Sequence, residues 1–302
     1  MLSDNRLVYQ TSQYIMSKII VFGASGQLGQ CFKKLVVDKG LDHFIFPEEG
    51  EANILDVEGL EKLFAAHQPS YAINCAAYTA VDKAEDDAET AAKVNVTGVE
   101  NLARLCSKYD VTLIHTSTDF VFKGDRSSPL KEDSEAKPVS VYGQTKLDGE
   151  RVIPHLLDKY FTIRTGWLYS EFANNFVKTM LKLGAERDEL KVIADQAGTP
   201  TYAIDLAETI IHIIQSDSTA YGIYHYSNEG IASWYDFAKA IFELSGTDVK
   251  VIPVPTSEYK TRAVRPAYSV MDKTKVKQTF GLQIPYWRES LAICIGRLKQ
   301  QN

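Results

Sequence analysis

Short apolar runs alternate with longer stretches of helical period through the first two-thirds of the chain. KIIVF (18–22), HFIF (43–46), YAINCA (71–76), TLIHTSTD (112–119) and YFTIRTGWLY (160–169) are runs of the first kind, each a strand candidate. Residues 27–39, 57–67, 86–109 and 140–156 carry the helical spacing between them. Strands alternating with helices at this spacing predict βαβ units, a mainly parallel sheet and right-handed crossovers. Beyond Ser170 the pattern loosens. It predicts helices over 172–187, 202–216, 233–246 and 287–299, and strands over 190–195, 221–227 and 249–255. The fold class read from this is α/β: a Rossmann-type doubly wound parallel sheet with a smaller, discontinuous α/β lobe. The sheet domain is assigned to 16–170 plus about 198–228, and the lobe to about 171–197 and 229–302. Residues 1–15 are polar, precede Met16 and the first strand, and are expected to form a flexible extension.

Composition narrows the partners. The chain has 302 residues, 45% hydrophobic and 24% charged, with a net charge of −6 and no long basic run. That argues against nucleic acid or an anionic membrane as the main partner, but leaves room for a small anionic ligand. No apolar run reaches the roughly 18 residues a membrane span needs, and the first residues have no signal core. Cys31, Cys75, Cys106 and Cys294 are far apart with no CxxC or Cys/His cluster, so no structural metal is expected. The first three lie in apolar stretches, as reduced thiols of a cytoplasmic protein would.

GASGQLG follows the first strand and opens a helix, with glycines at Gly23, Gly26 and Gly29. Glycines there allow a tight turn and close approach of a pyrophosphate, and the helix N-terminus supplies N–H donors. Ser25, Gln27 and Leu28 share the turn. A bare strand-to-helix turn is the competing reading. After the second strand comes FIFPEEGE, with Glu48 and Glu49 behind Pro47 and no Arg or Lys nearby. Carboxylates suit a free ribose hydroxyl and repel a 2′-phosphate, which leans toward NADH over NADPH; two solvated loop acids is the alternative. Asn53 and Ile54 in NILD are placed to bracket an adenine. Ala76 and Ala77 are small enough to let backbone lie against a dinucleotide, or simply to pack a helix on a strand.

Tyr-x-x-x-Lys occurs three times, at Tyr14/Lys18, Tyr142/Lys146 and Tyr235/Lys239. Only the second pair opens a helix shortly after a strand end, STDFVF (117–122), where ligands bind in open α/β sheets. A carbonyl being reduced needs a proton on oxygen as hydride reaches carbon. A tyrosine whose pKa is lowered by a neighbouring ammonium can supply it, with the Thr118 hydroxyl on the same oxygen.

The Gly-x-x-Gly-x-x-Gly turn with Tyr-x-x-x-Lys resembles the extended short-chain dehydrogenase/reductases. FGASGQLG, NCAAYTAVDKAE, STDFVF, VYGQTK, RTGWLY, NNFVKTM, ADQAGTPTYA and RPAYSVMD are similar to the dTDP-4-dehydrorhamnose reductase group, over about 23 to 272. The resemblance implies reduction of a 4-keto dTDP-sugar by NADH or NADPH, with Thr118, Tyr142 and Lys146 catalytic. It implies Gly26, Gln27 and Leu28 on the pyrophosphate, Ala77, Tyr78 and Thr79 along the dinucleotide, and Lys146 on the nicotinamide ribose. It places Thr118, Asp119, Phe120 and Trp167 at the sugar, and Asn174, Asn175 and Arg265 at the sugar nucleotide. A magnesium ion, and a monomer or homodimer, are implied by the family alone. The chain departs from the family pattern at Pro47, Asn53 and Gly166. A regulatory relative, like the methionine adenosyltransferase beta subunit, or a reductase or epimerase of another nucleotide sugar, shares the same motifs.

Overall fold

All four residues of β1 (Ile19–Phe22) are buried. Such a strand needs cover on both faces, and its side chains alternate between two cores. The structure, a computed structural model, describes residues 18–48 and 50–301. The proposed extension 1–15, Met16, Tyr14 of the first Tyr/Lys pair, and Glu49 lie outside the described residues.

After β1 come α1 (Gln27–Lys39), β2 (Phe44–Ile45), α2 (Val57–His67) and β3 (Tyr71–Asn74). Helix α1 stops at Gly40, whose left-handed φ of 63° lets its N–H reach the Val36 and Val37 carbonyls. The Asp56 side chain caps α2 by accepting from Gly59 N at 3.1 Å. Then follow α3 (Val81–Ala84), α4 (Ala88–Ala92), a π turn (Lys93–Thr97) and α5 (Gly98–Tyr109). The next unit is β4 (Thr112–Thr118), α6 (Val141–Val152) and β5 (Tyr160–Thr165). The remainder runs β6 (Leu168–Tyr169), α7 (Phe176–Glu186), β7 (Glu189–Ile193), β8 (Ala197–Gly198), β9 (Thr201–Tyr202), α8 (Ala203–Gln215) and β10 (Gly222–His225). The last elements are β11 (Ala232–Ser233), α9 (Trp234–Ser245), β12 (Lys250–Val254), α10 (Thr274–Phe280) and α11 (Trp287–Gln301).

Six strands form one sheet in the order β2-β1-β3-β4-β5-β10, every pair parallel. The chain moves outward from β1 to β2, then crosses back to start β3. The order therefore reverses between β1 and β3, and the crevice beyond their C-terminal ends is where such sheets bind ligands. Ile19 and Val21 pack toward α1 and α8, with Phe32 and Ile210. Ile20 and Phe22 pack toward α2 and α5, with Phe64 and Leu102. The smaller lobe is built on the parallel β7–β12 pair and the antiparallel β8–β11 pair, with α7 and α9 against them and α11 packed on α9 and β9. Among the described residues no helix is long and apolar enough to cross a membrane.

Two expected elements are interrupted. The 86–109 pattern is helical from 88 to 109 but carries a π turn, where Asn95 bonds the Tyr78 backbone and Thr145 through its side chain. The 160–169 run ends as a strand at Thr165. Trp167 takes a left-handed φ of 51°, and Leu168–Tyr169 pair with β9 instead.

One buried ion pair joins α6 to the sheet. Arg164 on β5 donates Nη2 to Glu150 Oε2 at 2.6 Å and Nε to Oε1 at 2.9 Å, with the two side chains 4% and 2% exposed. Ser117 on β4 donates to the same carboxylate, and the guanidinium lies over the Phe122 ring at 5.2 Å. Removing one partner strands the other charge in the interior. Glu150→Ala is therefore expected to cost about 3–5 kcal/mol in urea unfolding, and Glu150→Met with Arg164→Leu to recover most of it. A single-variant loss below about 1 kcal/mol, the range of an exposed pair, would contradict this.

Candidate active site

Strand β4 ends at Thr118, and a 3₁₀ turn (Asp119–Val121) follows. Ser140 caps α6 by accepting from Gly143 N at 3.1 Å, which puts Tyr142 in the first turn and Lys146 one turn later. A side chain at Gly143 would overlap the Phe120 carbonyl, so this glycine lets α6 close onto the 3₁₀ turn. The Phe120 ring then meets Tyr142 edge-on at 5.5 Å. Thr118, Tyr142 and Lys146 thus line one cavity of about 440 Å³, with Asp119, Phe120, Trp167 and Asn174.

Lys146 is 2% exposed and donates Nζ to the Thr116 carbonyl at 2.7 Å. Burial pulls its pKa down to about 8, with the Glu150 charge opposing. Burial pushes the Tyr142 phenol up to about 12, with a Thr118 hydrogen bond opposing. The expectation of a lowered phenol is therefore corrected: the ammonium points at a backbone carbonyl, and desolvation dominates. The Thr118 hydroxyl donates to Asp119 Oδ1 at 3.2 Å and accepts from Phe120 N at 3.2 Å. Asp119 is raised to about 6 by burial, opposed by hydrogen bonds from Ser269 and Thr118. Gly166 is what leaves room for its carboxylate, since a Cβ there would lie 2.5 Å from Asp119 Cγ.

Trp167 stacks on Trp234 of α9 with centroids 3.5 Å apart and planes 3° from parallel. Trp234 lines a second cavity of about 240 Å³ with Phe176, Val192, Tyr259 and Arg265. The indole pair is the wall between the two. Arg265 therefore faces the second cavity, where it also holds Asp82 through Nη2 at 2.7 Å. Asn174 lines the first cavity. Asn175 instead caps α7, accepting from Lys178 N at 3.3 Å and donating to the Ser170 carbonyl at 2.8 Å. The third Tyr/Lys pair lies on α9 with Lys239 exposed.

The cleft at the β1/β3 switch encloses about 580 Å³ and is lined by Gly23, Ser25, Glu48, Asn53, Ile54, Ala76 and Ala77, among others. Gly23 has φ 75°, and a Cβ on it would lie 2.5 Å from Ala76 N. Gly26 is the N-cap of α1 and offers no side-chain cap, while Gly29 packs under the turn against Ala24. The first N–H groups of α1 are thus left for an anion. Gln27 and Leu28 face the first cavity, and Ala77 lines both spaces. Among the described residues Gln27 Oε1 is buried without a hydrogen-bond partner, an acceptor that a bound amide donor would satisfy. These features fit a dinucleotide. Thr79 lines the first cavity, whereas the Tyr78 hydroxyl donates to Asp87 at 3.3 Å. The Asn53 side chain accepts from Leu55 N at 3.0 Å within its own turn. Among the described residues no group of three or more His, Cys, Asp or Glu is placed to hold a metal ion.

Three groups escaped the sequence reading. Asn95 clamps Tyr78 by both backbone atoms, at 2.9 and 3.2 Å, and an asparagine inside a helical pattern was its one signal. The Glu150–Arg164 pair showed only as an arginine in an apolar strand. Lys33 reaches the cleft from α1, although no cation stands near the end of β2 in sequence.

Sheet, turn and pocket together define an extended short-chain dehydrogenase/reductase. The profile of the family described as RmlD substrate binding domain matches residues 16–300. The chain belongs to the dTDP-4-dehydrorhamnose reductase family. It is 41% identical over 286 residues to the dTDP-4-dehydrorhamnose reductase of Aggregatibacter actinomycetemcomitans, covering 91% of this chain and 97% of that protein. The crystal structure of the Clostridium acetobutylicum reductase superposes with a TM-score of 0.89 at 43% identity, covering 93% of this chain and 99% of that one. The Bacillus anthracis reductase, solved in complex with NADP, has a TM-score of 0.88 at 37% identity, covering 95% and 99%.

Lys146 gives a pH signature. The folded chain releases this proton near 8, the unfolded chain near 10.5. Between those values the unfolded state binds more protons, so stability rises with pH. The unfolding free energy of the wild type, relative to Lys146→Met, should climb by at most about 1.4 kcal/mol per pH unit across that window. A flat difference from urea titrations at pH 7 to 10 would show that Lys146 is not desolvated.

Proposed function

We propose that the protein reduces the 4-keto group of dTDP-4-dehydro-L-rhamnose with NAD(P)H, giving dTDP-L-rhamnose. The observation that carries the reading is the convergence of Thr118, Tyr142 and Lys146 on one cavity beside the glycine turn. The nicotinamide supplies a hydride to the keto carbon. Everything else falls to side chains. Tyr142, held protonated by its upward shift, gives its proton to the oxygen that becomes the 4-hydroxyl. Thr118 turns its hydroxyl hydrogen from Asp119 to that oxygen, while the Phe120 N–H keeps hold of the hydroxyl oxygen. Lys146, fixed to the Thr116 carbonyl, is the nearby cation that steadies negative charge left on the phenol.

A division of labour supports the reading. The sheet domain, 16–170 with about 198–228, takes the dinucleotide in the switch-point cleft. The lobe from about 171–197 and 229–302 takes the dTDP half. Its cavity offers apolar walls and a half-buried guanidinium whose fork suits a diphosphate. Trp167 then closes the sugar side. The NADP complex of the B. anthracis relative supports NADPH as one cofactor. We place the protein in the cytoplasm on the support of its free cysteines, three of them buried.

Oxidation of NADH or NADPH followed with dTDP-4-dehydro-L-rhamnose tests the reaction directly. Tyr142→Phe should lower kcat by about 10²–10⁴-fold with cofactor affinity unchanged by fluorescence titration. Full turnover in that variant would overturn the proton-donor role. Absent turnover in the wild type, with the cofactor bound, would point to the regulatory reading instead.

A further inference from the structure

The switch-point cleft is walled by opposite charges. Glu48 approaches from the end of β2 and Lys33 from the second turn of α1, and both line it beside Ser25 and Pro47. The Lys33 Nζ lies over the Phe46 ring, 5.8 Å from its centroid, and both residues line the cleft. Its neighbour Lys34 points elsewhere, paired with Asp38 at 2.8 Å. Helix α1 thus brings a cation to the place where the residues after β2 offer only carboxylate. Ser25 adds a hydroxyl from the glycine turn on the same wall.

We propose that Lys33 is a specificity-determining residue that receives the 2′-phosphate of NADPH, with the Ser25 hydroxyl as a second donor. The lean toward NADH drawn from Glu48 alone is then reversed. Lys33 and Glu48 are both exposed, so solvent screens both charges; the difference is that the ammonium can donate a direct charge-assisted hydrogen bond to a 2′-phosphate, whereas the carboxylate can turn away into solvent. The same Glu48 remains an acceptor for a free ribose hydroxyl, so the cleft also admits NADH, less tightly. The inference rests on the reading of this cleft as the cofactor site.

Calorimetric titration of the whole protein with 2′,5′-ADP and with 5′-AMP isolates the one phosphate at issue. The wild type should favour 2′,5′-ADP by about tenfold, the worth of one hydrogen bond to a charged group. Lys33→Gln should bring the ratio to about one with 5′-AMP affinity unchanged, a built-in control for folding. Glu48→Gln should widen the ratio, and added salt should narrow it wherever Lys33 is present but not in Lys33→Gln. A ratio that survives Lys33→Gln would overturn the proposal. So would an equal loss of both nucleotides, since the ammonium would then serve the shared phosphate. Neither probe carries a nicotinamide or a sugar, so failure here leaves the reductase reading standing. If neither nucleotide binds the wild type, the cofactor reading of the cleft falls as well.

Discussion

The ion pair between Arg164 and Glu150 holds helix α6, which carries Tyr142 and Lys146, in register with the sheet. Strand β5 contributes the guanidinium, α6 the carboxylate, and Ser117 at the end of β4 a third contact. Glu150 lies one helical turn beyond Lys146, and Lys146 one turn beyond Tyr142. Locking the far turn of α6 therefore sets the height of the phenol above the end of β4. Buried pairs of this kind contribute little net stability, because desolvation offsets attraction. What this one supplies is position: a helix that slid by one residue would leave a carboxylate in the core with no partner.

The same burial sets the electrical character of the pocket. Phenol and ammonium are both driven toward their neutral forms, the first upward and the second downward. Asp119 is driven the same way. A site that resists charge at rest responds strongly to charge when it arrives, because little solvent remains to screen it. The glycines at 143 and 166 matter for this reason. Each removes the atom that would have kept a polar group of the 119–121 turn at a distance.

Much of the framework was legible in the sequence because its signals are local. The continuous apolar run of β1, the helical spacing over 27–39 and the period of α8 each depend on neighbours a few residues away. The glycine turn and the Tyr142/Lys146 spacing are local too. Strands of two residues, such as β8, β9 and β11, carry no period to read. Groups that act across the fold were also hidden. Lys33 reaches the β2 side from a different element, and Asn95 acts on a backbone 17 residues earlier. Trp167 looked like part of a strand because its neighbours are apolar. Its positive φ comes from the break at Gly166 and from the indole waiting on α9.

That indole contact has an optical consequence. The chain has three tryptophans, and two of them lie face to face at 3.5 Å. Chromophores so close share their excited states, and their near-ultraviolet dichroism depends on the angle between the rings. One ring borders the cavity of Thr118 and Tyr142 and the other the chamber of Arg265. A ligand that shifts either ring changes the dichroism of the pair, so the protein carries its own unlabelled spectroscopic reporter facing both chambers.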